Sequence, residues 1–167
     1  HEDVPRRQAV NAVTDEEIGR LVPVVDYSQA LTLEAGEEEV RSACADARRY
    51  GFRAVVAFPQ FVPVLVEELA GTGVRAQIPV GFPCGGATTR VKCVEAEEGL
   101  KAGATDLDMV MNIAAFKAGD YRRVAEDIAA VMAVASLLHY RLPWWPIHPV
   151  GLALAGTHPT RMAAFSV

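Results

Sequence analysis

Basic clusters, long apolar runs and closely spaced cysteines are all missing from this chain of 167 residues. The net charge is -5 and no segment concentrates Lys and Arg, so the sequence offers no electrostatic footprint for nucleic acid. No apolar run approaches the ~20 residues that cross a bilayer, and no charged leader precedes an apolar stretch. We therefore expect a protein that is neither secreted nor embedded in a membrane and that binds no nucleic acid.

Cysteine and histidine are too few and too widely spaced to indicate a metal site. Cys44, Cys84 and Cys93 are an odd number without CxxC spacing, which predicts neither a disulfide framework nor a zinc site. No histidine lies between residues 2 and 138, so a nucleophilic pair with Cys84 would have to recruit the C-terminal segment. We expect a cytoplasmic protein without a metal or another cofactor.

What the chain does contain is a repeated unit in which a short apolar run precedes an amphipathic stretch. The four candidate strands are LVPVVDYS, FRAVVAFP, VRAQIPVGFP and TDLDMVMN. Three of the predicted helices end at glycine, namely at Gly51, at Gly71 or Gly73, and at Gly103. Strands that alternate with helices in this way indicate βαβ units and a parallel sheet. Since a complete (β/α)8 barrel needs about 200 residues or more, we predict an α/β fold with a partial TIM-barrel-like domain of four to five βα units.

The predicted domain covers residues 1–135, and an irregular tail follows over residues 136–167. A leading helix is expected to begin at Thr14, with Glu17 completing a capping box. The tail has no Asp, Glu or Lys but has both tryptophans and four of the ten prolines. Prolines forbid a continuing helix and disfavour a central strand. This change of composition suggests the hypothesis that the tail is a foreign or out-of-frame ending.

Candidate catalytic groups stand where the predicted strands end, because parallel α/β folds carry their working residues there. Asp26 and Ser28 end the first strand. Asp108 lies in the fourth, where alternation puts it on the same face as Asp106 and Asn112. A carboxylate that points into a barrel is costly unless it is paired or functional. A strand-end aspartate bonded to a backbone amide is the alternative.

The turn GFPCGGATT and the lysines are the other candidates. The glycines of the turn admit close approach of a ligand and a helix start can bind anions, but the pattern favours an ordinary βα turn. Lys92 and Lys101 are expected in solvent on the third helix. Lys117 follows the fourth strand and is the one amine that the order of elements places near Asp108, although loop lysines are normally exposed and protonated.

Two stretches resemble a known enzyme family. The opening DYSQALTLEAGEEEV and the longer IPVGFPCGGATTRVKCVEAEEGLKAGATDLDMVMNIAAFKAGDYRRVAEDI are similar to deoxyribose-phosphate aldolase, over about residues 22–135. The resemblance implies a TIM-barrel class I aldolase, a carbon–carbon lyase that cleaves 2-deoxyribose 5-phosphate to glyceraldehyde 3-phosphate and acetaldehyde through a lysine Schiff base, without metal. It implies that Asp108 is the proton-relay carboxylate and that Asp26 and Ser28 form a polar pair beside it.

The sequence also departs from that family. Val56 stands where the family usually has a cysteine, Tyr27 replaces a histidine, and the Schiff-base lysine of the sixth strand has no counterpart. Two hypotheses follow. The chain is either an aldolase that uses Asp108 and Asp26 with an amine from Lys117 or from another chain, or an inactive, truncated barrel that self-associates through its open strand edge. The expected partners are a small phosphorylated sugar or aldehyde and further copies of the chain.

Overall fold

The computed structural model describes residues 13–29 and 31–141 of the chain, with side chains up to residue 138. Its centre is a four-stranded parallel sheet in which the strands lie in chain order. The strands are β1 (Asp26–Tyr27), β2 (Ala54–Val56), β3 (Arg75–Val80) and β4 (Asp106–Met109). Parallel neighbours need a crossover connection, and each crossover here contains a helix. The α/β class with a parallel sheet is thereby confirmed.

The helices alternate with these strands along the chain. They are α1 (Asp15–Leu21), α2 (Glu37–Tyr50), α3 (Val62–Leu69), α4 (Thr89–Ala102), α5 (Ile113–Lys117) and α6 (Tyr121–Arg141). Short 3-10 turns, Val22–Val24 and Pro59–Phe61, precede β1 and α3. Within the described ranges, none of the helices has both the length and the apolar character needed to cross a membrane.

The sequence signals at the helix ends have the expected structural effects. The Thr14 side chain accepts from the Glu17 amide while the Glu17 carboxylate accepts from the Thr14 amide, which is the predicted capping box. Gly51 and Gly103 end α2 and α4 with φ of 79° and 109°. Residues with a β-carbon disfavour that left-handed region, so glycine is the residue suited to these helix ends.

Several boundaries differ from the sequence prediction. The second, third and fourth strands are shorter than predicted, and β4 ends at Met109 with the short helix α5 after it. The first predicted strand began at Leu21, but Val22–Val24 form a 3-10 turn and the strand is only Asp26–Tyr27. The last helix runs to Arg141, so the change of composition after Ser136 falls inside a helix. The rest of the predicted tail, residues 142–167, and residues 1–12 of the predicted domain lie outside the described residues.

The apolar core lies between the sheet and the helices. Val55 and Ala76 of the sheet pack in one cluster with buried residues of α2 and α3, and Val80 packs with Ala96 of α4 and Val131 of α6. Cys44 of α2 is fully buried in the first cluster, and burial raises the pKa of its thiol to about 11. The strands therefore turn alternate side chains toward the helices, which leaves their other face for polar groups.

The turn after β3 fits closely against the chain that follows β4. Gly85 has φ of 66°, and its amide donates to the Gly81 carbonyl at 2.8 Å. A β-carbon at Gly85 would stand 1.7 Å from the carbonyl oxygen of Met111. Only a glycine permits this approach, so the turn and the chain after β4 hold each other in place.

Replacing Gly85 should therefore destabilise the fold strongly. We expect Gly85→Ala to lower the free energy of unfolding by at least about 2 kcal/mol, because it adds left-handed backbone strain to a clash with main-chain atoms. Gly86→Ala is the matched control, since its β-carbon would meet nothing closer than the Cys84 sulfur at 3.5 Å. Urea denaturation followed by circular dichroism measures both variants, and equal midpoints would contradict the packing described.

Candidate active site

The face of the sheet turned away from the helices carries a chain of charged and polar side chains. In the register of the sheet, Gln77 of β3 lies opposite Asp106 of β4, and Pro79 lies opposite Asp108. The Asp106 carboxylate and the Gln77 amide are both reached by the Arg53 guanidinium, which shows that they share a face. The predicted alternation in β4 applies to Asp106 and Asp108, since residues two apart on a strand point the same way. It was wrong for Asn112, which lies beyond the end of the strand at Met109 and caps α5.

Arg53 links three strands at this face. Its Nη1 donates to Asp26 Oδ1 in a short ion pair and lies 3.4 Å from Gln77 Oε1, while its Nη2 donates to Asp106 Oδ1 at 3.1 Å. Arg75 adds a second contact to Asp106, with Nε 2.5 Å from Oδ2. A planar guanidinium with several donors suits such bridging better than a lysine amine.

Asp106 is the less exposed of the two carboxylates that Arg53 contacts, with its side chain 14% exposed. Burial raises the pKa of the Asp106 carboxyl, and the positive charges of Arg75 and Arg53 partly oppose that effect. A carboxylate held by two guanidinium groups is committed to an ion-pair network. We therefore assign Asp106 a structural role and look to its neighbour for chemistry.

Asp108 lies two residues further along β4 and is exposed. Partial burial raises the pKa of its carboxyl, the negative charge of Asp26 raises it further, and Arg53 opposes both. Among the described residues no hydrogen bond holds its side chain to a backbone amide, so the alternative of a strand-end cap is not what the structure shows. Within the described residues, Asp108 is the aspartate of this face that has no ion pair or hydrogen bond to its carboxylate.

The end of β1 contributes two of the predicted groups. Asp26 begins the strand and is held by Arg53, and Ser28 follows the strand with an exposed side chain. Tyr27 points the other way, because its hydroxyl donates to Asp46 at 3.4 Å and its ring packs on Phe52 at 4.9 Å between centroids. Arg53 bridges Asp26 and β4, the strand that carries Asp108, so these two predicted site residues lie at the same face of the sheet.

Comparison with known proteins shows which enzymes the chain resembles. The chain is 39% identical over 122 residues to deoxyribose-phosphate aldolase 2 of Oceanobacillus iheyensis, an alignment that covers 73% of the chain and 54% of the relative. A structure solved for a deoxyribose-phosphate aldolase of Coccidioides immitis superposes with a TM-score of 0.68 and 35% identity, covering 72% of this chain and 47% of that one. The segment is homologous to the deoxyribose-phosphate aldolases.

A second structure is similar to the same extent. The deoxyribose-phosphate aldolase of Aeropyrum pernix, described as a unique tetramer, has a TM-score of 0.62 and 30% identity and covers 73% of this chain and 49% of its own. The chain thus spans about half the length of the curated relatives it matches. No family model matches it. The aldolase homology confirms the predicted fold class, a partial TIM-barrel-like domain, within the described part of the chain.

The lysines matter most for an aldolase, and one of them was predicted wrongly. Lys92 was expected in solvent, but its side chain is fully buried and its Nζ donates to Asp127 Oδ2 at 2.6 Å and to the Val110 carbonyl at 3.0 Å. A sequence signal for this pair existed. Asp127 lies on the buried stripe of α6 with Val124 and Val131, and Lys92 lies four residues before the buried Ala96 of α4.

The two other lysines lie at the surface. Lys101, near the end of α4, is half exposed and contacts Glu97 at 2.7 Å. Lys117 ends α5 and is exposed. The structure therefore presents no described lysine that is both buried and unpaired, which is the setting that activates an aldolase lysine.

Polar groups of the glycine-rich turn GFPCGGATT form hydrogen bonds with α4, the helix that follows it. The Gly81 amide donates to Glu95 Oε2 at 2.7 Å, and the Thr88 side chain caps α4 by accepting from the Val91 amide. Cys84 is exposed in this turn. These contacts favour an ordinary βα turn over a phosphate cradle. Among the residues described, no three His, Cys, Asp or Glu side chains are placed to hold a metal ion.

The electrostatics of Asp108 can be tested by titration. Asp26→Asn removes a negative neighbour and should lower the pKa of the Asp108 carboxyl, whereas Arg53→Met removes a positive one and should raise it. Carbon-13 NMR of the labelled aspartate carboxyls measures both shifts. Arg20→Met, on the exposed helix α1, is the control and should leave Asp108 unchanged. Shifts of the same sign in both variants would contradict the arrangement.

Proposed function

We propose that this chain supplies the carboxylate half of a deoxyribose-phosphate aldolase site and that aldol cleavage by the chain alone is lost or strongly impaired. Asp108 is the proton-relay group, with Asp26 and Ser28 as the polar pair beside it. The observation that carries the impairment is the state of the lysines: the buried Lys92 is paired with Asp127, and Lys101 and Lys117 are exposed at the surface.

The chemistry shows what each group would do. In a class I aldolase a neutral lysine amine adds to the C1 aldehyde of 2-deoxyribose 5-phosphate, and loss of water leaves an iminium. Removal of the C3 hydroxyl proton then breaks the C2–C3 bond, which releases glyceraldehyde 3-phosphate and leaves an enamine. Protonation at C2 and hydrolysis return acetaldehyde and the free amine. Asp108 suits the proton transfers, because its raised pKa favours proton exchange closer to neutral pH than that of an ordinary aspartate.

The amine is the missing half of this reaction. A solvated lysine amine is almost entirely protonated at neutral pH, and a protonated amine cannot add to a carbonyl. Burial or a neighbouring cation lowers the pKa of a Schiff-base lysine. Lys117 is exposed, and Lys92 donates two hydrogen bonds in a closed interior. An amine from another polypeptide segment is therefore required for the family's activity.

Trapping with borohydride tests this proposal directly. We expect the chain to stay unmodified when it is incubated with acetaldehyde and reduced, because no lysine is poised to form an iminium. Peptide mass spectrometry would locate any adduct, and the full-length relative from Aeropyrum pernix is the positive control. A reduced adduct on Lys117, together with cleavage of deoxyribose 5-phosphate that the variant Lys117→Met lacks, would overturn the proposal.

A second candidate function is that of an inactive barrel segment that associates with further copies of itself. Within the described residues, β1 and β4 each have a strand on one side only. A closed barrel of this kind takes eight parallel strands, so two copies related by a twofold axis could set β4 of each beside β1 of the other. Unpaired strand edges favour such association. The tetrameric state of the Aeropyrum pernix relative is a precedent for association in the family.

Light scattering coupled to size-exclusion chromatography tests the association. We expect a mass at least twice that of the 18.0 kDa chain, and we expect it to persist in 1 M salt because strand pairing is screened far less than surface charge pairs. A dilution series supplies the dissociation constant. A monomer at every concentration would exclude this second function and leave the first untouched.

A further inference from the structure

The largest fully buried side chain in the described part of the molecule is a lysine, Lys92 of α4. Its partner Asp127 of α6 is also buried, with a side-chain exposure of 3%. The amine binds two acceptors, the Asp127 carboxylate at 2.6 Å and the Val110 carbonyl at 3.0 Å. We call these three groups the lysine clamp. The clamp connects two helices to the chain that follows β4.

The stem of the same lysine lies against the end of β3. A β-carbon at Gly81 would stand 2.8 Å from Lys92 Cε, so the residue that follows β3 has no room for a side chain. Gly81 begins the turn whose Gly85 fits against the Met111 carbonyl. Lys92 therefore touches both of the turns that leave the carboxyl ends of β3 and β4.

The peptide that the clamp holds is close to the proposed proton relay. Val110 comes two residues after Asp108 and its amide donates to the Val80 carbonyl at 2.8 Å. Asn112 comes two residues later and caps the start of α5, because its side chain accepts from the Ala115 amide at 3.0 Å. Because both its amide and its carbonyl are hydrogen-bonded, the peptide of Val110 is held in place between β4, which carries Asp108, and α5.

Stability alone is a weak reason for such a pair. Removing two charges from water costs free energy that their attraction often fails to return, and apolar pairs of similar size frequently serve as well. An apolar pair, however, could not donate to the Val110 carbonyl. The hydrogen bond to the Val110 carbonyl is the distinguishing feature of the clamp, because it directs the buried amine at one particular peptide.

We propose that Lys92 is a positioning residue, which fixes the peptide after β4 through the Val110 carbonyl and so orients Asp108 for proton transfer. The inference rests on the proposed role of Asp108. It does not make Lys92 a nucleophile, since its amine is enclosed and donates to two acceptors. Asp127 holds the amine in place. The charged groups that influence the pKa of the Asp108 carboxyl are Asp26, which raises it, and Arg53, which lowers it.

Three variants separate positioning from simple support of the fold. Lys92→Met with Asp127→Leu removes both charges and the Val110 contact. Asp127→Asn keeps the size of the partner and an acceptor oxygen, so the amine can still donate to Val110 although the fold loses a buried countercharge. Lys101→Met, on the same helix but at the surface, is the matched control.

The readouts are carbon-13 titration of Asp108 and hydrogen exchange, neither of which needs catalytic activity. In the double variant we expect the Asp108 midpoint to fall by roughly half a pH unit or more, toward the value of a solvated aspartate. We also expect amide exchange over residues 109–113 to rise about tenfold relative to β2. Asp127→Asn should melt at a lower temperature yet keep the wild-type titration, and Lys101→Met should match the wild type throughout.

Two outcomes would overturn the inference. One is a folded double variant whose Asp108 titration and local exchange are unchanged. The other is an Asp127→Asn variant whose Asp108 midpoint shifts as far as that of the double variant, which would show that loss of stability alone moves it. If the double variant does not fold, an Asp127→Asn variant whose Asp108 midpoint falls by roughly half a pH unit or more would still overturn the inference. Trapping of an aldehyde adduct would contradict the proposed function without touching this result.

Discussion

The guanidinium of Arg53 is the interaction on which the polar face of the sheet depends. A parallel sheet with helices against one side buries that side easily, but four strands also present a second face, and here that face contains three aspartates. Arg53 reaches Asp26 on β1 and Asp106 on β4, so one side chain pairs with two of the three carboxylates. Asp108 is left as the carboxylate with a raised pKa and no such partner.

The aspartates of this face thus differ in how they are paired. Burial raises the pKa of both Asp106 and Asp108, which lie two residues apart on the same strand. Asp106 is paired with Arg53 and Arg75, and Asp108 is exposed near Asp26. Under the proposed function Asp108 transfers the protons, and the lysines determine how far the reaction proceeds.

The sequence predicted the fold well where local chemistry decides the structure. The capping box at Thr14, the glycines that end α2 and α4, and the parallel strand order all follow from short-range patterns. It failed where distant residues decide. Lys92 and Asp127 are 35 positions apart, and although each lies on the buried stripe of its helix, their pairing follows only from the packing of α4 against α6. The bridging by Arg53 was missed for the same reason, because its partners come from three other strands.

The order of the strands has a consequence for how this polypeptide assembles. Each strand pairs with the one before it in the chain, so every pairing closes after a single intervening helix and none waits for a remote segment. The entropy of closing each loop is then similar from unit to unit. A chain emerging from the ribosome can add its βα units one at a time, as domains formed from nearby contacts do. The ion pair between α4 and α6 then closes last, when the helix that carries Asp127 has been synthesised.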